Sequence, residues 1–158
     1  MKIQKYESFD SRLIVEWEQL QKNAFFFPFQ SLSWLLTWYQ EIGKLKKNLK
    51  LQIITLKKNN EIIAIFPLLI RSNFKLRILE WIGGVHTDYM GPLLHKDFKI
   101  TKDEFNNVWN EVLKMLDNFD VIHFKKQYKE INGLQNPFVN FLNCNTWFHQ
   151  SYIADISE

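Results

Sequence analysis

Asp88 and Tyr89, in the stretch VHTDYMGP, set a carboxylate beside a phenol between the pairs Gly83, Gly84 and Gly91, Pro92. A carboxylate and a phenol in a glycine-flanked loop can bind an amine or hydroxyl acceptor, or serve as a weak base. His86 lies two residues earlier and can join the same cleft. The structural alternative is that Asp88 caps a turn, Tyr89 packs over a sheet and His86 is incidental. A second group is aromatic: Phe25, Phe26, Phe27, Phe29, Trp34 and Trp38. It can make a platform for a sugar or lipid-linked acceptor, or it can staple a helix start into the core.

Other chemistries are weaker. His95, His123 and His149 fit no metal-ligand spacing and have no Cys or His partner nearby. Cys144 is the single cysteine, which excludes an internal disulfide and fits a reducing compartment. It has no basic neighbour to favour a thiolate. Neither a G-x-S-x-G elbow nor a phosphate-binding P-loop occurs. Arg71 and Arg77 flank the predicted turn at Ser72 and Asn73, where they could steer a phosphate or simply face solvent.

The elements that must position these residues follow from periodicity. Lys2–Tyr6 reads as an edge strand. Asp10 can cap a helix carrying Leu13, Trp17, Leu20 and Ala24 at helical spacing. Pro28 interrupts the chain, Ser31 can cap a second helix, and Trp34, Leu35, Trp38, Tyr39 and Ile42 form its apolar stripe, with Gly43 as a left-handed stop. Trp34 and Trp38 are expected to pack inward from one face of that helix.

Three antiparallel strands come next. In residues 49–56, Leu49, Leu51, Ile53 and Thr55 share one face, while Ile54 and Leu56 face the other way. Asn59 and Asn60 suit a tight turn into residues 61–70, where Phe66 and Leu68 share a face. The turn at Ser72 and Asn73 leads to residues 75–82. Pro67 cannot donate to a ladder, so it belongs at a bulge or an unpaired position.

After the loop 83–97, Thr101 and Glu104 form a capping box, and Phe105, Val108, Trp109, Val112, Leu113 and Leu116 make a helical stripe. Residues 121–124 read as a short buried strand. Residues 134–142 read as a helix limited by Pro137, and residues 146–156 as a last strand. The predicted order is β-α-α-β-β-β-α-β-α-β, a mixed and mostly antiparallel sheet with helices on both faces.

Two segments, FFFPFQSLSWLLTWYQEIG (25–43) and EIIAIFPLLIRSNFKLRILEWIGGVHTDYMGPLL (61–94), carry a family resemblance. With FPF…SWLLTWY, IFPLL and WIGG…DYMGPLL in this order, the chain resembles the N-terminal half of CelD-like and FemAB-like acyltransferases, a branch of the GNAT (acyl-CoA N-acyltransferase-like) superfamily. The resemblance spans roughly residues 14–156. It implies one GNAT-like domain over residues 1–158, the acceptor-side half of a two-half enzyme. The implied reaction moves an acyl group, acetyl by default, from CoA to an amine or hydroxyl of a sugar or cell-envelope polysaccharide precursor. Attack on the thioester is then direct, in a ternary complex.

Acetyl-CoA is the cofactor expected for a full-length family member. In an ordinary GNAT enzyme its pyrophosphate lies on a Q/R-x-x-G-x-G/A turn at a helix N-terminus, where small residues let amides approach. The matching interval, residues 83–101, has no basic residue at that spacing, and Pro92 removes an amide donor. No cofactor site is therefore expected in this chain, and alone it is expected to be inactive. The implied partners are a C-terminal GNAT half and a small-molecule or saccharide acceptor. The alternative is a non-catalytic GNAT-fold binding module that has lost its CoA site.

Composition agrees with a folded domain: 46% hydrophobic and 23% charged residues, with an aromatic share of 16%. A net charge of +3, with lysines scattered in ones and twos such as Lys46 and Lys47, excludes a nucleic-acid footprint and reads as solvated surface. The apolar run at residues 62–70 falls well short of the ~20 residues of a membrane helix. No h-region follows MKIQKYESF. A cytoplasmic protein without membrane insertion is expected.

Overall fold

Caps and turns set the frame. In the computed structural model, which describes residues 1–142, strand β1 (Lys2–Tyr6) precedes helix α1 (Ser11–Gln21). The Asp10 carboxylate accepts from the Leu13 amide at 2.8 Å, satisfying one of the orphan donors of the first turn. A two-residue strand β2 (Ala24–Phe25) leads through a 3-10 turn (Pro28–Gln30) to α2 (Leu32–Trp38), capped by Ser31.

A long hairpin forms the centre. Its first arm is β3 (Leu49–Leu51) and β4 (Ile53–Lys58); its second is β5 (Glu61–Phe66) and β6 (Leu68–Asn73). Asn59 and Asn60, at φ 51° and 66°, make the tight turn between them. Leu51 faces Leu69 and Ile54 faces Phe66, so the register continues unchanged past Gln52 and Pro67. Pro67 has no amide to give, and the Gln52 amide bonds to the Leu68 carbonyl at 2.9 Å instead.

The third strand is the unusual one. Its first part, β7 (Leu76–Trp81), pairs with β6, and the Ile82 amide donates to Pro67 O at 2.9 Å. Its second part, β8 (Leu93–His95), pairs with β5, with Leu93 opposite Ile65. Residues 83–92 are thus a loop thrown out from one strand position, opposite Phe66. Here the sheet divides into two, with orders β1-β4-β5-β8-β2 and β3-β6-β7-β9, where β9 is Val121–Ile122. Helix α3 (Lys102–Met115) follows, opened by the Thr101 and Glu104 capping box. Strand β9 (Val121–Ile122) runs parallel to β7; β10 (Glu130–Ile131) and β11 (Leu134–Gln135) make a small hairpin before α4 (Pro137–Asn140).

Each sheet face has its own core. Leu13, Trp17, Leu20, Leu35 and Trp38 of α1 and α2 pack on Ile53, Ile65 and Leu93. Phe105, Trp109 and Val112 of α3 pack with Phe138 of α4 on Ile54, Phe66, Leu68 and Trp81. The result is the expected mixed, mostly antiparallel sheet with helices on both faces, and Phe66 and Leu68 do share one.

Several expectations need correction. The second hairpin turns at Phe74 and Lys75, since Ser72 and Asn73 stay paired with Arg77 and Leu76. Ala24 leaves α1 for β2 because β8 offers a sheet edge. Gly43 is not left-handed. α2 instead unwinds into a π turn, Tyr39–Gly43, closed by the Lys44 amide on Tyr39 O at 2.8 Å. Glycine is needed there for room, because a Cβ would lie 2.6 Å from Tyr39 Cδ2. Val121 and Ile122 are exposed, and Leu134 and Gln135 form a strand, so only Pro137–Asn140 of that segment is helical. Cys144, His149 and the last strand expected at 146–156 lie outside the described residues.

A polar knot ties β1, α1 and β4 together. The buried Glu16 carboxylate accepts from the Tyr6 hydroxyl (3.1 Å), Arg12 Nε (3.2 Å) and Lys57 Nζ (2.5 Å). Burial first, and then the Glu16 charge, push the Tyr6 phenol from 10.0 up to about 12. Its contribution to stability is intact below the unfolded value of 10.0 and is lost as pH rises from there toward about 12. Urea unfolding across that window is expected to show a steeper alkaline loss for the wild type than for Tyr6→Phe. Parallel curves for the two would show that Tyr6 does not carry it.

Candidate functional site

The loop 83–92 meets the segment 27–34 at the division of the sheet. Phe27 is extended, and Pro28 starts the 3-10 turn without leaving an amide unsatisfied. Gln30 Oε1 accepts from the Phe27 amide at 2.9 Å. Its amide nitrogen donates to Pro92 O at 2.9 Å and to the Tyr128 hydroxyl at 3.0 Å, while that hydroxyl donates to Pro92 O at 2.6 Å. Gln30 and Tyr128 are both buried, and burial raises the Tyr128 phenol so that it stays a neutral donor. Together they fix the point where the loop rejoins the sheet.

The other side of the loop is fixed by backbone conformation and one lysine. Gly83 has φ 125°, and a Cβ on it would fall 2.3 Å from Thr87 Oγ1. Lys126, itself at φ 51°, reaches Thr87 O (2.8 Å), Val85 O (3.3 Å) and Asp88 Oδ1 (3.4 Å) through its ammonium. The Met90 amide donates to Lys126 O at 2.9 Å.

Held this way, the loop completes an aromatic ledge. Tyr89 stacks on Phe27 at 4.2 Å between centroids, and Tyr128 meets Phe27 edge-on at 5.6 Å. Phe29 meets Trp34 edge-on at 5.0 Å and lies 6.4 Å from Tyr89. The Trp34 indole donates to Thr87 Oγ1 at 3.1 Å. The exposed Asp88 carboxylate is carried on the same loop, beside the Lys126 ammonium. Ring faces offer C–H and apolar contact, the carboxylate accepts from an amine or hydroxyl, and Lys126 adds a cation.

Of the residues singled out from sequence, Asp88, Tyr89 and Trp34 are brought together. His86 sits exposed in the 3-10 turn Gly84–His86 and makes no hydrogen bond or ion pair among the described residues. Trp38 must be withdrawn from the ledge. It is 7% exposed against 37% for Trp34, and packs beneath Gly84, where a Cβ would meet its Cζ2 at 3.3 Å. Arg71 and Arg77 are engaged by Glu80 and Asp120, which removes them as phosphate guides. Gln30, Thr87, Lys126 and Tyr128 were not anticipated. Gln30 had a local signal, lying three residues after Phe27 in capping-box position, whereas Tyr128 and Lys126 stand in a charged stretch with no periodicity.

The interval expected to hold a pyrophosphate in an ordinary GNAT enzyme is filled by other contacts. At the start of α3 the Glu104 carboxylate accepts from the Thr101 amide at 2.8 Å, and the Glu104 amide donates to Thr101 Oγ1 at 3.3 Å. Asp103 and Glu104 outnumber Lys102 in the first turn, so that helix end carries net negative charge, the opposite of what a diphosphate requires. The residues present do not fit a CoA pyrophosphate there.

No family model and no curated protein matches the chain. Among solved structures it is similar to a GNAT family acetyltransferase of Staphylococcus aureus, with 12% identity and TM-score 0.45 over 96% of this chain and 100% of that one. It is also similar to a possible acetyltransferase of Clostridium difficile (13% identity, TM-score 0.41, 98% of each chain). A third is an aminoglycoside antibiotic 6'-N-acetyltransferase of Acinetobacter haemolyticus (12% identity, TM-score 0.40, 98% of this chain and 100% of that one). Likeness at TM-scores below 0.5 does not define a common activity, and the site has to speak from its own residues.

Proposed function

We propose that this chain is the acceptor-binding unit of a GNAT-like acyltransferase, whose acyl-CoA site is supplied by a second, C-terminal GNAT half. The ledge of Phe27, Phe29, Trp34 and Tyr89 carries this reading, because it stands where the sheet divides and presents Asp88 beside half-exposed rings. Acceptors collect at such divisions, where neighbouring strands stop covering one another. The acidic cap of α3 supports assigning the donor site to the other half. Rings together with a carboxylate suit an amino sugar or a saccharide precursor, with the sugar's apolar face on the rings and its amine or hydroxyl on Asp88.

Asp88→Asn combined with Tyr89→Phe removes the charge and the phenol while keeping shape. Calorimetric titration with a panel of amino sugars is expected to give saturable binding to the wild type. The double variant should bind roughly tenfold more weakly, equivalent to ~1.4 kcal/mol. Stability should change by less than about 1 kcal/mol, since both groups lie at the surface. Equal affinities would assign the loop to scaffolding. Turnover separates the alternative reading: a non-catalytic module is expected to keep acceptor binding while pairing with a C-terminal GNAT half adds no transfer from acetyl-CoA.

A further inference from the structure

The opposite end of the second sheet carries a feature that folding does not explain. Phe74 is the first central residue of the two-residue turn between β6 and β7, at φ 52°, and the residue is fully exposed. Left-handed backbone in such a turn belongs to glycine or asparagine, and for a bulky side chain it is a strained exception. With no burial to offset that strain, nothing within the described molecule favours phenylalanine here. An outlier of this kind points to contact with something outside the chain.

The surroundings say what that contact would be. Asn48, which ends the segment 44–48, lies against the end of β6: its Nδ2 donates to Ser72 O at 2.8 Å and the Ser72 amide donates to Asn48 O at 2.8 Å. Leu45 is 73% exposed and Leu76, at the start of β7, is 51% exposed, so with Phe74 three apolar residues stand open to solvent. Lys44, Lys46, Lys47 and Lys75 flank them in sequence, all exposed and none in an ion pair among the described residues. Three of the acids on this side are engaged, Asp117 by Lys5 and Lys50, Asp120 by Arg77 and Glu80 by Arg71, which leaves Glu41 against the four lysines. An open groove lined by Lys47, Lys50, Ser72, Arg77 and Asp117 joins the loops into one surface.

We propose that this end, with Phe74, Leu45 and Leu76 as shallow anchors and Lys44, Lys46, Lys47 and Lys75 as the charged rim, adsorbs to anionic lipid surfaces. Exposed apolar tips ringed by unpaired lysines match the headgroup boundary, where apolar side chains enter the acyl margin and ammonium groups meet lipid phosphates. This is adsorption and not a span, for no helix among the described residues is long and apolar enough to cross a membrane. Lys46 and Lys47, read from sequence as solvated surface, then belong to this patch. The length of β7, roughly 20 Å, separates the patch from the aromatic ledge, so the two surfaces are tested independently.

Co-sedimentation with phosphatidylcholine vesicles, with and without about one third phosphatidylglycerol, tests this. The wild type is expected to partition at least about tenfold more strongly to the anionic vesicles, with binding that falls as salt is added. Phe74→Gly relieves the turn while removing the anchor, so it should raise or preserve the melting temperature and lower vesicle binding by roughly threefold or more. Lys46→Gln with Lys47→Gln should cost roughly tenfold and flatten the salt dependence. Equal partition to both vesicle types, or unchanged binding by Phe74→Gly, would overturn the proposal. So would concentration-dependent self-association that Phe74→Gly abolishes, because the patch would then belong to a second copy.

Discussion

Replacing Phe138 with alanine is expected to cost about 3–5 kcal/mol of folding stability, a large share of what a domain of this size possesses. Among the described residues, five aromatic rings surround Phe138: Phe66 at 4.8 Å, Trp81 at 5.0 Å, Phe105 and Trp109 at 5.1 Å and Phe124 at 5.6 Å. All five meet it edge-on, at interplanar angles of 80–89°. These rings come from β5, β7, α3 and the segment after β9, so they are held by separate elements and cannot close on a vacated centre together. A cavity that stays open is the costly kind. Helix α4, only four residues long, has little stability of its own. It is placed by Asn136, whose side-chain oxygen accepts from the Phe138 amide at 3.0 Å, and by this ring. Urea unfolding measures the effect, with Phe138→Leu expected to recover most of the loss. A cost below about 1 kcal/mol would mean that the cluster re-forms without it.

What the sequence disclosed about this fold follows from how local each determinant is. Asp10, Ser31, Thr101 and Glu104 act on amides within a turn of themselves, and each caps the helix predicted for it. Pro67 was placed correctly because a missing amide is a property of the residue alone. Residues 93–95 were read as loop. Their strand character comes from edges offered by β5 and β2, which lie far away in sequence. The turn at Phe74 was missed for a different reason: its residue type argues against the backbone it adopts, while Ser72 and Asn73 look like turn residues yet stay in the ladder.

The candidate site divides along the same line. Asp88 and Tyr89 were legible because glycines bracket them, and a loop so flanked can carry polar groups close to a ligand. Their supports were not, since Gln30, Lys126 and Tyr128 converge on the loop across 36 to 62 positions of sequence. Lys126 has no helical or strand period to betray it, and only its left-handed backbone and its aim at Val85 O and Thr87 O give it a role.

Trp34 and Trp38 are one helical turn apart and are expected to respond to alanine in opposite ways. The buried stripe of α2 is Leu32, Leu35 and Trp38, which centres the core-facing side on Leu35 and leaves Trp34 at its margin. Trp38 belongs to the α1 and α2 core and also floors the loop, with Gly84 resting on its ring. Trp38→Ala is therefore expected to cost about 3–5 kcal/mol and to loosen residues 83–92 from below. Trp34 contributes an exposed face, an edge contact with Phe29 and a hydrogen bond to Thr87. Trp34→Ala is expected to cost about 1 kcal/mol of stability. Its larger effect falls on acceptor binding, because a half-exposed indole is worth more to a ligand that covers it than to the free protein. Paired measurements of unfolding and amino-sugar titration decide the matter. If Trp34→Ala proves as destabilising as Trp38→Ala while leaving the titration unchanged, the ledge is core that happens to reach the surface, and the acceptor binds elsewhere.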